Sequence, residues 1–201
     1  MKVLLISPHT DDIEFWASGY VFTHPEHEYY HIALSPCAQA LTDGYTVSDI
    51  YSEWIEAQAM MGIDKHSLYY YADRDYSSIR QEILDLFHGI GEEFDPDMVF
   101  APTVNDVHQD HRVVGFEAVR AFHNKTIIQY MSLRSYSQND YNYFVTITEP
   151  ILAKKLELMR NFKSQLAIKP YDDYVLKTME YFGSMFGERC IEPFVAYRRI
   201  E

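Results

Sequence analysis

Short apolar runs alternate with stretches of helical periodicity through most of the chain, and few folds satisfy that rhythm. Val3-Leu4-Leu5-Ile6 and Met98-Val99-Phe100-Ala101 are unbroken apolar runs, as strands buried on both faces require. Further strands are expected near Tyr30–Leu34, Ser67–Tyr71 and Thr126–Tyr130. Helical patterns lie between them, from about Ile13 to Phe22, Val47 to Met61, Ser77 to Glu92 and Gln109 to His123. Gly62 stops the second, and Asp95-Pro96-Asp97 breaks the third. Such a β-α-β-α-β-α-β-α-β alternation specifies a mostly parallel sheet with helices on both faces. The expected architecture is a Rossmann-like three-layer α/β/α fold with strand order 3-2-1-4-5.

From Ser135 the pattern changes. A Tyr/Asn/Ser-rich loop leads to a strand at Tyr143–Ile147, helices at about Glu149–Ser164 and Asp172–Phe186, and an extended segment Phe194–Ile200. The 201 residues therefore read as one domain, with a core over 1–133 and a C-terminal α+β cap over 134–201.

The net charge of −13 disfavours nucleic acid and anionic membrane surfaces as partners, because both demand clustered Lys and Arg. No apolar stretch approaches the ~20 residues of a membrane span. The N-terminal apolar run is too short for a signal peptide, so the cytoplasm is the expected location. Cys37 and Cys190, far apart, form no disulfide framework or Cys-rich metal motif and are expected as small buried residues. The Tyr-rich C-terminal segment is compatible with a homo-oligomer.

Two polar clusters each follow a buried strand: Pro8-His9-Thr10-Asp11-Asp12 after the first, and Asp106-Val107-His108-Gln109-Asp110-His111 after the fourth. In open α/β sheets ligands bind beyond the carboxyl ends of strands, where the strand order reverses. The expected order sets strands one and four side by side at that reversal, so the clusters share a crevice. His9, Asp12 and His111 can supply three ligands to a catalytic zinc and leave a fourth position for water. Zinc lowers the pKa of such a water towards ~7. Imidazole favours Zn2+ over Mg2+, and Fe2+ is an acceptable substitute. Asp11 diverges from its neighbour and suits a general base. His108 can donate to an oxyanion or protonate a leaving amine, with Asp110 orienting it and favouring its charged form.

Each cluster alone could be a capped, acidic first helical turn. Their coincidence at two adjoining strand ends favours the site. His24, His27 and His31 show no acidic motif around them and read as packing or surface residues, as do His66, His88 and His123. No GxGxxG, GxSxG or reactive-Cys motif follows a strand, which argues against a dinucleotide and against an acyl-enzyme.

The motifs His9-Thr10-Asp11-Asp12 and His108-Gln109-Asp110-His111 resemble the HPDD and HPDH signatures of the LmbE-like (PIG-L) N-deacetylase family. The likeness extends through Asp12-Ile13-Glu14-Phe15, Glu53 ahead of Gly62, Arg80–Asp85, Lys155 to Ser164-Gln165, and Ile191-Glu192-Pro193-Phe194, as in a branch associated with bacterial polysaccharide genes. The resemblance implies metal ligands His9, Asp12 and His111, a general base Asp11, and an oxyanion-stabilising His108 held by Asp110. Thr10 and Gln109 replace the usual prolines; Trp16 and Ser18 stand where glycines are common. Trp16 is therefore expected to narrow the site or face a partner subunit. Ile50 occupies a position where many members carry a sugar-contacting Arg. Asp106 and Arg74 are candidate substrate contacts, each also readable as a structural loop residue.

The implied activity is zinc-assisted removal of an acyl group from a small N-acylated amino sugar or related glycoconjugate. Two alternatives stay open: a non-catalytic, metal-stabilised binding protein of a glycan pathway, and a deacylase or amidase of a non-sugar metabolite.

Overall fold

In β1 (Lys2–His9), Val3 and Leu5 enter one apolar core and Leu4 and Ile6 the other, so both faces of the strand are covered. A computed structural model describes residues 1–39, 41–132 and 140–200. After β1 come α1 (Asp12–Trp16), α2 (Ser18–Thr23), β2 (Glu28–Ser35), α3 (Val47–Met61), β3 (Lys65–Leu68), α4 (Arg80–Phe94) and β4 (Met98–Pro102). The chain continues through α5 (Gln109–Ala121), β5 (Thr126–Tyr130), β6 (Tyr143–Thr146), α6 (Glu149–Asn161), α7 (Lys163–Leu166), α8 (Tyr171–Phe186) and β7 (Ile191–Arg198).

These strands form one sheet in the order β3-β2-β1-β4-β5-β7-β6. The first five are parallel in the expected order, and β7 and β6 extend the β5 edge antiparallel. The C-terminal extension thus completes the sheet, while α6 and α8 pack with α1, α2 and α3 over one face. Helices α4 and α5 cover the other. The change of pattern at Ser135 and the 133/134 boundary lie outside the described residues.

Helix α3 has the limits its pattern predicts: Thr46 and Asp49 form a capping box, and Gly62 closes it at φ 71°. Strand β3 covers Lys65–Leu68 rather than the expected Ser67–Tyr71: the polar Lys65 and His66 disguise its start, and Tyr69–Tyr71 lie beyond its end. There the Lys65 ammonium lies 4.5 Å from the centre of the Tyr30 ring on β2 and bonds Glu93 of α4 at 2.8 Å.

The single helix expected over Ile13–Phe22 is two, broken at Ala17 (φ −141°). A buried ion pair fills the break. Lys155 of α6 donates to the carbonyl of Phe15 at 2.7 Å, to Ser18 Oγ at 3.1 Å and to Glu192 Oε1 at 2.8 Å. Glu192 of β7 in turn accepts the free N–H groups of Gly19 and Tyr20, each at 2.8 Å. A Cβ on Gly19 would lie 2.5 Å from the Glu192 carboxyl carbon, so only glycine admits the contact. The cation meets carbonyls at the end of one helix and the anion meets amides at the start of the next, as helix termini favour. This pair fixes α1, and α1 begins with Asp12.

Removing one partner leaves the other charge buried and unpaired. Lys155→Met is expected to lower unfolding free energy by roughly 3 kcal/mol or more in urea titrations. A loss under about 1 kcal/mol would show that the pair is dispensable, since that is the range of exposed ion pairs.

Candidate metal centre

The carboxyl ends of β1 and β4 adjoin where the strand order reverses, and the two polar clusters meet there. His9 ends β1, and Asp12 opens α1 one short turn later, its Oδ2 accepting the His9 backbone N–H at 2.9 Å. His111 lies in the first turn of α5. All three side chains are at least nine-tenths buried. His9 Nδ1 and His111 Nε2 are 3.3 Å apart, His111 Nε2 is 3.3 Å from Asp12 Oδ1, and His9 Nδ1 is 3.5 Å from Asp12 Oδ2.

That triangle is the fit test for a cation. A tetrahedral ion with bonds of about 2.0–2.1 Å holds its ligand atoms about 3.3–3.4 Å apart. Two ring nitrogens and a carboxylate converge here at that spacing, a donor set suited to zinc.

The far nitrogen of each ligand imidazole meets its own carboxylate. His111 Nδ1 lies 2.9 Å from Asp106 Oδ2, and His9 Nε2 lies 3.2 Å from Asp110 Oδ2. With those nitrogens protonated, each ring presents a lone pair to the shared centre. Asp106 is further held by Ser132 Oγ at 2.6 Å and the His108 N–H at 2.8 Å. Burial alone would raise Asp106, but the hydrogen bond and charge of His111, with Ser132, bring it down to about 2. Asp106, a candidate substrate contact also readable as a structural loop residue, is 2% exposed and has the structural role: it orients a metal-ligand candidate.

The carboxylate of Asp110 likewise does not reach the His108 ring as the sequence reading expects. It points across to β1, to His9, and accepts the Arg74 backbone N–H at 2.8 Å. Arg74 sits in the left-handed region (φ 71°) with its side chain mostly exposed. His108 is the N-cap of α5, and its Nδ1 accepts the backbone N–H of Asp110 at 3.2 Å. Burial, then the charges of His111 and His9, push His108 down to about 4, so the ring is neutral rather than cationic at pH 7. With Nδ1 occupied as acceptor, the proton belongs on Nε2.

Asp11 caps nothing: its side chain makes no cap hydrogen bond to α1, and it lines the cavity. Burial, then the Asp12 carboxylate, push it up to about 6 against the opposing pull of His9 and His111.

The cavity over these groups measures about 240 Å³. Trp16, Phe15 and Tyr171 give it an apolar wall, and Cys37, Asp73 and Arg74 complete the rim. The Trp16 ring packs edge-on to Tyr174 of α8 within this same chain. Burial pushes the Cys37 thiol up, which makes it a poor nucleophile. Ile50 is 2% exposed within α3 and does not line the cavity. Ser132, Tyr171, Cys37 and Asp73 were not singled out from sequence as site residues, and no local motif marks them. They come from loops and a late helix that only tertiary structure brings here.

Residues 4–122 match the PIG-L family, described as GlcNAc-PI de-N-acetylase, and the chain belongs to that family. Among solved structures it is similar to the conserved protein TT1542 from Thermus thermophilus, with a TM-score of 0.86 and 20% identity over 99% of this chain and 96% of that one. It is also similar to N,N'-diacetylchitobiose deacetylase from Pyrococcus horikoshii, with a TM-score of 0.78 and 24% identity over 96% of this chain and 82% of that one. GalB, the 4-carboxy-2-hydroxymuconate hydratase of Pseudomonas putida KT2440, has a TM-score of 0.80 and 15% identity, covering all of both chains. At these identities the likeness establishes the fold alone. No curated protein sequence matches the chain.

Asp106→Asn would leave His111 Nδ1 without its carboxylate. Zinc affinity, measured by competition with a chromophoric chelator, is expected to fall about 10- to 100-fold. An unchanged affinity would remove His111 from the ligand set.

Proposed function

We propose that the protein is a cytoplasmic, metal-dependent N-deacylase that releases a carboxylate from a small N-acylated amino sugar or related glycoconjugate. One observation carries the proposal: a preformed His9-Asp12-His111 ligand triangle with Asp11 and His108 beside it in one cavity. A purely structural metal site would need neither of the last two.

His9, Asp12 and His111 would hold zinc, with Fe2+ an acceptable substitute. The ion would supply Lewis acidity, acidifying water and polarising an acyl oxygen. Asp11 takes the proton of the attacking water and returns it to the amine nitrogen as the C–N bond of the tetrahedral carbon breaks, so that carboxylate and amine leave. Neutral His108 offers its Nε2–H to the oxygen on which negative charge develops as the carbonyl carbon becomes tetrahedral. Asp106 and Asp110 keep the ligand imidazoles in register. Trp16 and Tyr171 would receive the acyl group or an apolar sugar face, and Arg74 at the rim would meet polar substituents. Trp16 in place of a small residue makes the entrance narrower, which favours a compact saccharide.

The reading draws its support from family membership and from the P. horikoshii relative, which acts on an N-acetylated disaccharide. The GalB likeness makes hydration the competing chemistry for this fold. Acetate release tests the deacylase reading directly, since hydration of a double bond liberates no acetate. Zinc-loaded protein is expected to release acetate from at least one member of a panel of N-acetylated mono- and disaccharides. A chelator should abolish release and added zinc restore it. Asp11→Asn should lower kcat by about 10²- to 10⁴-fold while zinc content stays constant. Acetate release that survives chelation or Asp11→Asn, or no release across the panel, would overturn the proposal.

A further inference from the structure

A second convergence of ligand atoms lies at the opposite end of the sheet. The turn between α2 and β2 reads His24-Pro25-Glu26-His27. Glu26 Oε1 lies 3.4 Å from His24 Nδ1 and 3.4 Å from His27 Nδ1. All three ligand atoms fall within 4.8 Å of one another. Both oxygen–nitrogen separations match the roughly 3.3–3.4 Å edge of a tetrahedral zinc site.

The His27 ring nitrogen is the telling atom. Its side chain is 9% exposed, and Nδ1 makes no hydrogen bond although a carboxylate oxygen stands 3.4 Å away. Buried polar atoms ordinarily find partners, so an orphan aimed at a ligand cluster needs an occupant. A cation shared by the three groups satisfies it.

The backbone of the turn is also held in place. The His24 N–H bonds the Tyr20 carbonyl at 3.1 Å, and the His27 N–H bonds the His24 carbonyl at 3.2 Å. Tyr29 Oη donates to the same His24 carbonyl at 2.9 Å. The two imidazoles stack with centroids 5.3 Å apart and 7° between planes, beside the Tyr20 ring, so their in-plane lone pairs run parallel and one ring turns about its Cβ–Cγ bond for both to meet one ion. Pro25 fixes its own φ between the ligands. The backbone is already fixed, and a ring rotation is the ordering left for an ion to impose. His24 and Glu26 are open to solvent, which gives entry and room for water as a fourth ligand. The net charge of −13 favours approach of a cation.

The site is separate from the cavity. In the β1–β2 ladder Lys2 pairs with Glu28, next to His27, and His9 pairs with Ser35 at the other end. At about 3.3 Å per residue the two centres lie roughly 20 Å apart.

We propose that His24, Glu26 and His27 bind a second divalent transition-metal ion, zinc or another imidazole-preferring metal, which clamps the α2–β2 turn. Two nitrogens and one oxygen suit such ions better than calcium or magnesium, which take oxygen ligands. The ion would tie the end of α2, the helix gripped by Glu192, to the start of β2.

The test is equilibrium dialysis of metal-stripped protein against micromolar free zinc, followed by metal analysis. Wild type is expected to hold two ions per chain. The double variant His24→Ala/His27→Gln should hold one and deacylate as wild type does. The variant His9→Ala/His111→Ala should also hold one, retained at the turn. Glu26→Gln, which disturbs packing least, should weaken uptake at the turn at least tenfold. Equal zinc uptake by wild type, His24→Ala/His27→Gln and Glu26→Gln would overturn the second site and leave the cavity reading untouched. Unchanged uptake in His9→Ala/His111→Ala alone would sink the cavity assignment instead.

Discussion

Three lone pairs aimed at one point set the terms for the rest of this molecule. His9 Nδ1 and His111 Nε2 stand 3.3 Å apart, and the Asp12 carboxylate meets the first through Oδ2 at 3.5 Å and the second through Oδ1 at 3.3 Å, in a buried recess. Converging acceptors repel unless something positive lies between them. The fold holds them there through carboxylates behind both rings and a backbone N–H on Asp12. That preorganisation favours cation binding, because little ordering remains to oppose it.

The scaffold serves that convergence at some distance. Parallel pairing of β1 with β4 adjoins the two strand ends, and the Lys155–Glu192 pair seats the broken α1–α2 helix that delivers Asp12. The C-terminal extension is therefore part of the site's foundation: α6 supplies the lysine, β7 the glutamate, and Tyr171 of α8 closes the cavity wall. The two short helices make sense only as a pair held by charge at their junction.

Periodicity made β1, β2, β4, β5 and α3 legible, because apolar runs buried on both faces and a capped helix with a terminal glycine are local signals. The His/Asp clusters were legible for the same reason, each following a strand end. What sequence did not reveal was decided by long-range partners. The break at Ala17 depends on Lys155, far along the chain. Asp106 is readable from sequence as either a substrate contact or a structural loop residue, and its bonds with His111 and Ser132 decide for the second. The expected Asp110–His108 contact failed because α5 turns the carboxylate towards β1, leaving the backbone to fix the His108 tautomer. His24 and His27, read as packing or surface residues, share a carboxylate that lies between them in sequence, and the stacking of their rings is invisible in the sequence.

The central claim concerns the position of one atom. Anomalous diffraction at the zinc edge, on crystals grown with zinc, measures it directly. The account predicts a peak about 2.0–2.1 Å from His9 Nδ1, His111 Nε2 and an Asp12 carboxylate oxygen. A well-ordered crystal with no peak inside that triangle, while zinc is bound elsewhere, would contradict it.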